Sequence, residues 1–129
     1  LLLDPVSGFK AERVRNVIGK FTAIKPNRLE AVQLSGEKNP EQAANWFLSK
    51  GTKHVYISLG AEGVYYADAS DCGLIEAAKM QVENTSGAGD SLAAGIAMGM
   101  LRGMNTRDCA LLGIRTVSEH LRKQGGILL

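Results

Sequence analysis

Strand patterns alternate with helical patterns through the first half of the sequence, and this alternation constrains the fold more than any other feature. The clearest strand is His54–Leu59, rich in Val, Tyr and Ile, and a glycine-containing turn links it to a second strand at Val64–Ala67, as in a hairpin. Before it, Asn39 can cap a helix that begins at Pro40. The pattern predicts an α/β fold, in which helices cover the faces of a parallel sheet.

The other elements are predicted from periodicity, caps and turn residues. Further strands are predicted at Leu1–Leu3 and Phe21–Ile24, with edge strands at Ile75 and Lys79–Val82. Helices are predicted at Phe9–Ile18, around Leu29, Val32 and Leu34, from Pro40 to Lys50, at Gly87–Arg102 and at Thr106–Lys123. In the fourth of these helices and directly after it, Gly95, Gly99 and Gly103 recur every four residues, which we expect to permit close packing of the helix on the sheet.

Composition excludes several classes of protein. A chain of 129 residues with 45% hydrophobic content is sufficient for one packed domain. The net charge of +2 comes from interspersed acids and bases, which argues against a nucleic-acid partner. The longest apolar run, Leu92–Leu101, is about half the length that crosses a bilayer. Cys72 and Cys109 are far apart, as expected of reduced thiols in a cytoplasmic protein.

The strongest chemical signal is the segment Asn84–Ser91, which lies between a predicted strand and a long apolar helix. Gly87, Ala88 and Gly89 leave the backbone N–H groups free to converge on an anion at the helix start. Asp90 follows in the first turn, where the helix dipole favours an ionised carboxylate that can accept a hydroxyl proton. The alternative is a glycine-rich turn in which Asp90 only caps the helix.

That segment does not fit two better-known phosphate-binding motifs. It lacks the Gly-Lys-Ser/Thr ending of a Walker A loop. In a Rossmann fingerprint the third glycine would fall at Leu92.

Two further motifs precede it along the chain. Asn27 and Glu30 are three residues apart, so a helix would place both on one face; the alternative is a capping box. Ser58 ends a predicted strand and is followed by Gly60 and Gly63, a turn that an ordinary hairpin would also use.

In this order the three motifs resemble those of the ribokinase-like, PfkB-type family of carbohydrate and nucleoside kinases. The resemblance implies a three-layer, Rossmann-like α/β fold, with residues 1–129 as its C-terminal, nucleotide-binding part. The N-terminal half, which in the family carries the sugar-binding residues and a β lid, would be absent from this sequence.

The resemblance also implies roles for individual residues. Gly87, Ala88 and Gly89 correspond to the family's anion hole and Asp90 to its catalytic base. The residues that correspond to its MgATP site are Asn27 at the phosphates, Glu30 at Mg²⁺ through water, Ser58, Gly60 and Gly63 along the ATP, and Thr85. The family signature usually begins Asp-Thr, whereas this sequence has Asn84 there, which argues against assigning activation by K⁺.

Within the family, Leu2–Ser7, Lys25–Asn27 and Asn84–Ser86 resemble the group that phosphorylates the 5′-hydroxyl of pseudouridine. Ribokinase-type, fructokinase-type and other nucleoside kinases are alternatives, as are a non-catalytic nucleotide-binding module and a purely structural α/β fragment. We expect a small sugar or nucleoside as partner, and neither membrane nor nucleic acid. Because the apolar strand Leu1–Leu3 should have a neighbour on each side, we expect the isolated piece to self-associate or to bind the missing half, and to be inactive alone.

Overall fold

A computed structural model of the chain describes residues 2–3, 18, 21–76 and 88–125. The described strands are β1 (Leu2–Leu3), β2 (Ala23–Ile24), β3 (His54–Ser58), β4 (Val64–Ala67) and β5 (Cys72–Ile75). The described helices are α1 (Arg28–Ser35), α2 (Pro40–Ser49), α3 (Ala88–Leu101) and α4 (Thr106–Gly125).

The five strands form one sheet in the order of the sequence. Strands β1, β2 and β3 are parallel, with Ala23 opposite Leu2 on one side and His54 on the other. Strands β4 and β5 continue the sheet antiparallel to their neighbours, because tight turns join them to the preceding strands. The parallel sheet is therefore confirmed for β1–β3, and the predicted hairpin makes the whole sheet mixed.

The two faces of the sheet have separate cores, because successive side chains of a strand point in opposite directions. Val55 and Ile57 face α1 and α2, where Phe47 is fully buried. Tyr56, between them, faces α3 and α4 and packs with Leu92. Helices thus cover both faces of the sheet, which confirms the predicted three-layer arrangement.

Local sequence signals determine where α1 and α2 begin and end. The Asn39 side chain accepts hydrogen bonds from the backbone of Glu41 and Gln42, and Pro40 occupies the first helical position. Helix α1 ends at Gly36, whose φ of 77° suits a residue without a Cβ atom.

Gly95 and Gly99 of α3 pack against α4 and not against the sheet, so that expectation was wrong. A methyl group added at Gly95 would lie 2.5 Å from Thr116 Oγ1 and 2.7 Å from Gly113 Cα. Gly99 faces Cys109 in the same way. Gly103 follows the end of α3 with a φ of 73° and open space where a Cβ would lie. Two helices on one face of a sheet must approach each other, and small residues permit this close approach.

Element bounds otherwise differ from the predictions by a few residues. Strand β2 has two residues where four were predicted, and Ile75 ends β5. The predicted strand Lys79–Val82 and all of the predicted helix Phe9–Ile18 except its last residue lie outside the described residues. Among the described helices, none is both long and apolar enough to span a membrane.

Candidate active site

Asn27 and Ser58 lie side by side at the carboxyl ends of β2 and β3. The two residues form an isolated parallel bridge, and the Ser58 N–H donates to the Pro26 carbonyl over 2.9 Å. Asn27 is exposed and Ser58 is half-buried. Ligands of open α/β sheets bind outside the carboxyl ends of the strands, so these two residues lie at the edge where a ligand is expected.

Asn27 and Glu30 form a complete capping box at the start of α1. Asn27 Oδ1 accepts from the Glu30 N–H at 2.8 Å, and Glu30 Oε1 accepts from the Asn27 N–H at 2.9 Å. The Glu30 side chain is only 6% exposed. Asn27 and Glu30 therefore do form the capping box that was the alternative interpretation of this motif, and any ligand role of these side chains would be additional to it.

The turn between β3 and β4 depends on its two glycines. Gly60 and Gly63 have φ angles of 62° and 108°, and the Leu59 N–H donates to the Gly63 carbonyl over 2.8 Å. A methyl group added at Gly63 would lie 1.9 Å from the Ile75 carbonyl oxygen, well inside contact distance. Strand packing alone therefore requires glycine at position 63.

An ion pair joins this turn to the start of α1. Arg28 Nη2 lies 2.7 Å from Glu62 Oε2, and the two side chains are 47% and 67% exposed. Arg28 directly follows the cap residue Asn27, and Glu62 directly precedes Gly63. Sequence reasoning did not identify this pair, because the two residues are 34 positions apart and each is unremarkable alone.

The start of α3 carries the remaining predicted residues that the structure describes. Ala88 begins the helix, and Gly89 and Asp90 follow in its first turn with both residues exposed. A methyl group at Gly89 would contact nothing within 4 Å. Thr85 and Gly87 lie outside the described residues.

The direction of α4 indicates to which edge of the sheet α3 points. Thr106, at the start of α4, contacts His54 at the amino end of β3, and Cys109 packs with Tyr56 one turn later. Helix α4 therefore runs toward the carboxyl end of β3. Helix α3 is antiparallel to α4, since Gly99 faces Cys109 and Gly95 faces Gly113.

These directions place the first turn of α3 toward the edge that carries Asn27 and Ser58. The 14 residues of α3 span about 21 Å, enough to cross the sheet from one edge to the other. The fold thus directs Asp90 and the first N–H groups of α3 to the same edge as the capped start of α1. Backbone donors at a helix start suit an anion, and a nearby carboxylate suits the removal of a proton.

The opposite edge of the sheet holds a different polar network, which sequence reasoning also missed. Thr106 Oγ1 donates to Asp68 Oδ2 over 2.5 Å and lies 2.7 Å from His54 Nδ1. Asp68 also accepts from the backbone N–H groups of Ser70 and Asp71 at 2.7 Å. These contacts join the beginning of β3, the end of β4 and the beginning of α4.

Burial and hydrogen bonds shift the pKa values in this network. Burial lowers the pKa of His54, and the nearby Asp68 carboxylate only partly opposes the effect. Burial would raise the pKa of Asp68, but the hydrogen bonds from Thr106 and from the Ser70 and Asp71 backbone outweigh it and lower that pKa. The network therefore favours neutral histidine beside an ionised aspartate.

The described part of the chain contains no group of three or more His, Cys, Asp and Glu side chains that could hold a metal ion. Cys72 and Cys109 are both free thiols, as predicted.

Trp46 and Phe47 pack edge to face with ring centroids 5.1 Å apart, and Phe47 belongs to the core.

Comparison with known proteins agrees with this geometry. A family model described as pfkB family carbohydrate kinase matches residues 1–128. The chain belongs to the pfkB family of carbohydrate kinases. Among the family's curated members, the pseudouridine kinase of Escherichia coli strain K12 is 38% identical over 110 residues, which are 81% of this chain and 35% of that protein.

Solved structures of the family share the fold. A candidate sugar kinase from Clostridium perfringens is 40% identical with a TM-score of 0.80, and the match covers 90% of this chain and 38% of that one. Ribokinase from Thermotoga maritima is 27% identical with a TM-score of 0.71, covering 88% of this chain and 39% of that one. The ribokinase-like fold is thereby confirmed, and the chain spans little more than a third of the length of these relatives.

Proposed function

We propose that this chain supplies the ATP-binding side and the catalytic base of a kinase that phosphorylates a sugar or nucleoside hydroxyl. The observation that carries the proposal is the convergence of two helix starts on one sheet edge. The capped start of α1 lies there beside Ser58, and the first turn of α3, with Asp90, is directed to it. Membership of the pfkB carbohydrate kinase family supports the reading of this edge as a phosphoryl-transfer site.

In the proposed reaction the acceptor hydroxyl attacks the γ-phosphorus of ATP and gives its proton to the Asp90 carboxylate. The new bond joins the acceptor oxygen to phosphorus, and the bond between that phosphorus and the β-phosphate oxygen breaks to release ADP. Asp90 is exposed at the start of α3, where a carboxylate can reach a bound hydroxyl. Backbone N–H groups of Gly87, Ala88 and Gly89 would stabilise the charge on the transferring group.

Asn27, Ser58, Gly60 and Gly63 would contact the nucleotide. Asn27 is exposed beside the strand end, and its Oδ1 is already engaged by the Glu30 N–H, so its amide nitrogen is the group that would donate to phosphate. Ser58 and the glycine turn lie next along the same edge. We assign Thr85 to the nucleotide from its place in the family signature.

The donor chemistry of Glu30 fits Mg²⁺ held through water. Mg²⁺ keeps several of its water ligands and takes few carboxylates directly. Glu30 Oε1 is engaged in the capping box and the side chain is buried, so water-mediated contact suits it better than direct coordination. Mg²⁺ would neutralise phosphate charge as the nucleotide binds.

Pseudouridine is the acceptor that we propose first, with transfer to its ribose 5′-hydroxyl. Its support is the resemblance of Leu2–Ser7, Lys25–Asn27 and Asn84–Ser86 to the group that uses this acceptor, together with the 38% identity to a pseudouridine kinase. A candidate sugar kinase is equally similar at 40%, so ribose and fructose are the alternatives to test. We also propose that the kinase acts in the cytoplasm and is a homo-oligomer, or that this chain pairs with a substrate-binding half.

The test is a coupled assay of ADP release with the full-length protein, using MgATP and each acceptor in turn. Pseudouridine-dependent release, with little release for ribose or fructose, would support a kinase that acts on pseudouridine. Release with ribose or fructose alone would support the kinase activity and identify that sugar, instead of pseudouridine, as the acceptor. Nucleotide binding without release for any acceptor would instead favour a non-catalytic nucleotide-binding module.

A further inference from the structure

The ion pair between Arg28 and Glu62 joins the two segments that the proposed function places along the nucleotide. One partner is the first residue of α1, next to the cap Asn27, and the other belongs to the turn bounded by Gly60 and Gly63. The 2.7 Å contact therefore connects the phosphate side of the site to the glycine turn across 34 residues of sequence.

Each segment is held internally without this pair. The start of α1 is fixed by the reciprocal hydrogen bonds of Asn27 and Glu30. The turn is fixed by the Leu59 N–H donating to the Gly63 carbonyl and by the β3–β4 pairing. Between the segments, the Asn27–Ser58 bridge lies at the strand ends, and the ion pair adds a link farther out on the turn.

The pair is too exposed to be explained by its contribution to folding. Both partners are about half exposed or more, and exposed ion pairs contribute little to the free energy of unfolding. Restricting the relative position of two ligand-contacting segments can strengthen ligand binding without stabilising the fold. Segments that are already ordered in the free protein lose less conformational freedom when the ligand binds.

We infer that Arg28 and Glu62 are a positioning pair, which sets the spacing between the capped start of α1 and the glycine turn for the nucleotide. The inference rests on the proposed function only in taking the nucleotide to lie at this edge. Neither side chain needs to touch ATP, because the pair acts through the placement of Asn27 and of the turn backbone.

The test is a double-mutant cycle in the full-length protein, with the dissociation constant of MgATP measured by calorimetry. Arg28→Ala and Glu62→Ala should each raise it by about two- to fivefold, the range that one exposed ion pair supports. The double alanine variant should be no weaker than either single one, because both remove the same link. The charge swap Arg28→Glu with Glu62→Arg should restore the affinity.

Controls separate positioning from folding and from general charge. Melting temperatures of all variants should match the wild type, and Lys38→Ala, an exposed cation in the loop that follows α1, should leave the affinity unchanged. With an active acceptor, kcat at saturating ATP should also stay unchanged, since the proposed base and anion donors lie at the start of α3.

Three results would overturn the inference: weakening by Arg28→Ala but not by Glu62→Ala, failure of the charge swap, or no change in any variant. The first would indicate that Arg28 contacts the nucleotide directly. Binding of MgATP without any phosphoryl transfer would contradict the proposed kinase function. The double-mutant cycle would then still test whether Arg28 and Glu62 position the nucleotide site. Absence of nucleotide binding in the wild type would overturn both.

Discussion

Some residues of the proposed site stabilise the fold in addition to their proposed role toward the ligand. Asn27 and Glu30 complete a capping box, so a variant of either would weaken α1 as well as the proposed nucleotide contacts. Asp90 lies in the first turn of α3, where a carboxylate also interacts favourably with the helix dipole. A variant of Asp90 should therefore be measured for its free energy of unfolding as well as for its turnover.

The glycine turn between β3 and β4 has no room for a methyl group at Gly63. Gly63→Ala places a Cβ 1.9 Å from the Ile75 carbonyl oxygen at a φ of 108°, so we expect a loss of about 3 kcal/mol or more in the free energy of unfolding. Gly36→Ala is the matched control, because it has a φ of 77° but nothing within 4 Å, and should cost only about 1 kcal/mol. Urea denaturation of the two variants measures both. Equal losses would show that the turn can move away from β5.

Residues whose neighbours are close in sequence were predicted well, and residues whose partners are distant were not. The caps at Asn27 and Asn39 depend on atoms two or three positions away, so the sequence contains the whole interaction. His54 and Arg28 pair with residues 52 and 34 positions away, and no local pattern indicates such a partner. The fold must bring these residues together before the contact can be inferred.

Among the elements, α3 and α4 form a pair that depends on small residues. Gly95→Ala should destabilise the protein by roughly 1–3 kcal/mol, because its methyl would lie within 3 Å of Thr116 and Gly113. Gly89→Ala in the same helix is the control and should not destabilise, since its methyl has open space and alanine favours a helix. Thermal unfolding compares the two. A stable Gly95→Ala variant would mean that α4 can shift without cost.

The hydrogen-bond network of His54, Thr106 and Asp68, at the edge of the sheet opposite the proposed site, makes the link between β3, β4 and α4 depend on pH. The pKa of His54 is lower in the folded protein than its usual 6.5, so the unfolded chain binds the additional proton first as pH falls. The stabilisation is complete above about pH 6.5 and is lost as pH falls below it.

The free energy of unfolding, measured from pH 8 to pH 5 by urea titration, should therefore decrease toward acid, and His54→Gln should flatten that decrease. Identical slopes in wild type and His54→Gln would exclude the network as the source of the pH dependence.

For the whole molecule, alternating patterns were enough to predict a sheet with helices on its faces, and the resemblance of the motifs was enough to predict the family and its three-layer fold. The prediction that Gly95 and Gly99 pack on the sheet was wrong. A periodic glycine pattern indicates that another element approaches closely, but it does not indicate whether that element is a sheet or a helix. The convergence of α1 and α3 on one edge could not come from local sequence, since it depends on the antiparallel packing of α3 on α4. The chain spans about a third of its relatives, so the acceptor site is where the sequence says least.

The substitution Asp90→Asn in the full-length protein tests the proposal that Asp90 is the base of a phosphoryl transfer. Asp108→Asn is the matched control, because Asp108 occupies the same third position of α4 that Asp90 occupies in α3. We predict that Asp90→Asn lowers kcat by roughly 10²–10⁴-fold with little change in the dissociation constant of ATP, while Asp108→Asn keeps its turnover. Near-normal turnover in Asp90→Asn would show that Asp90 is not the base and is a residue of the helix start only.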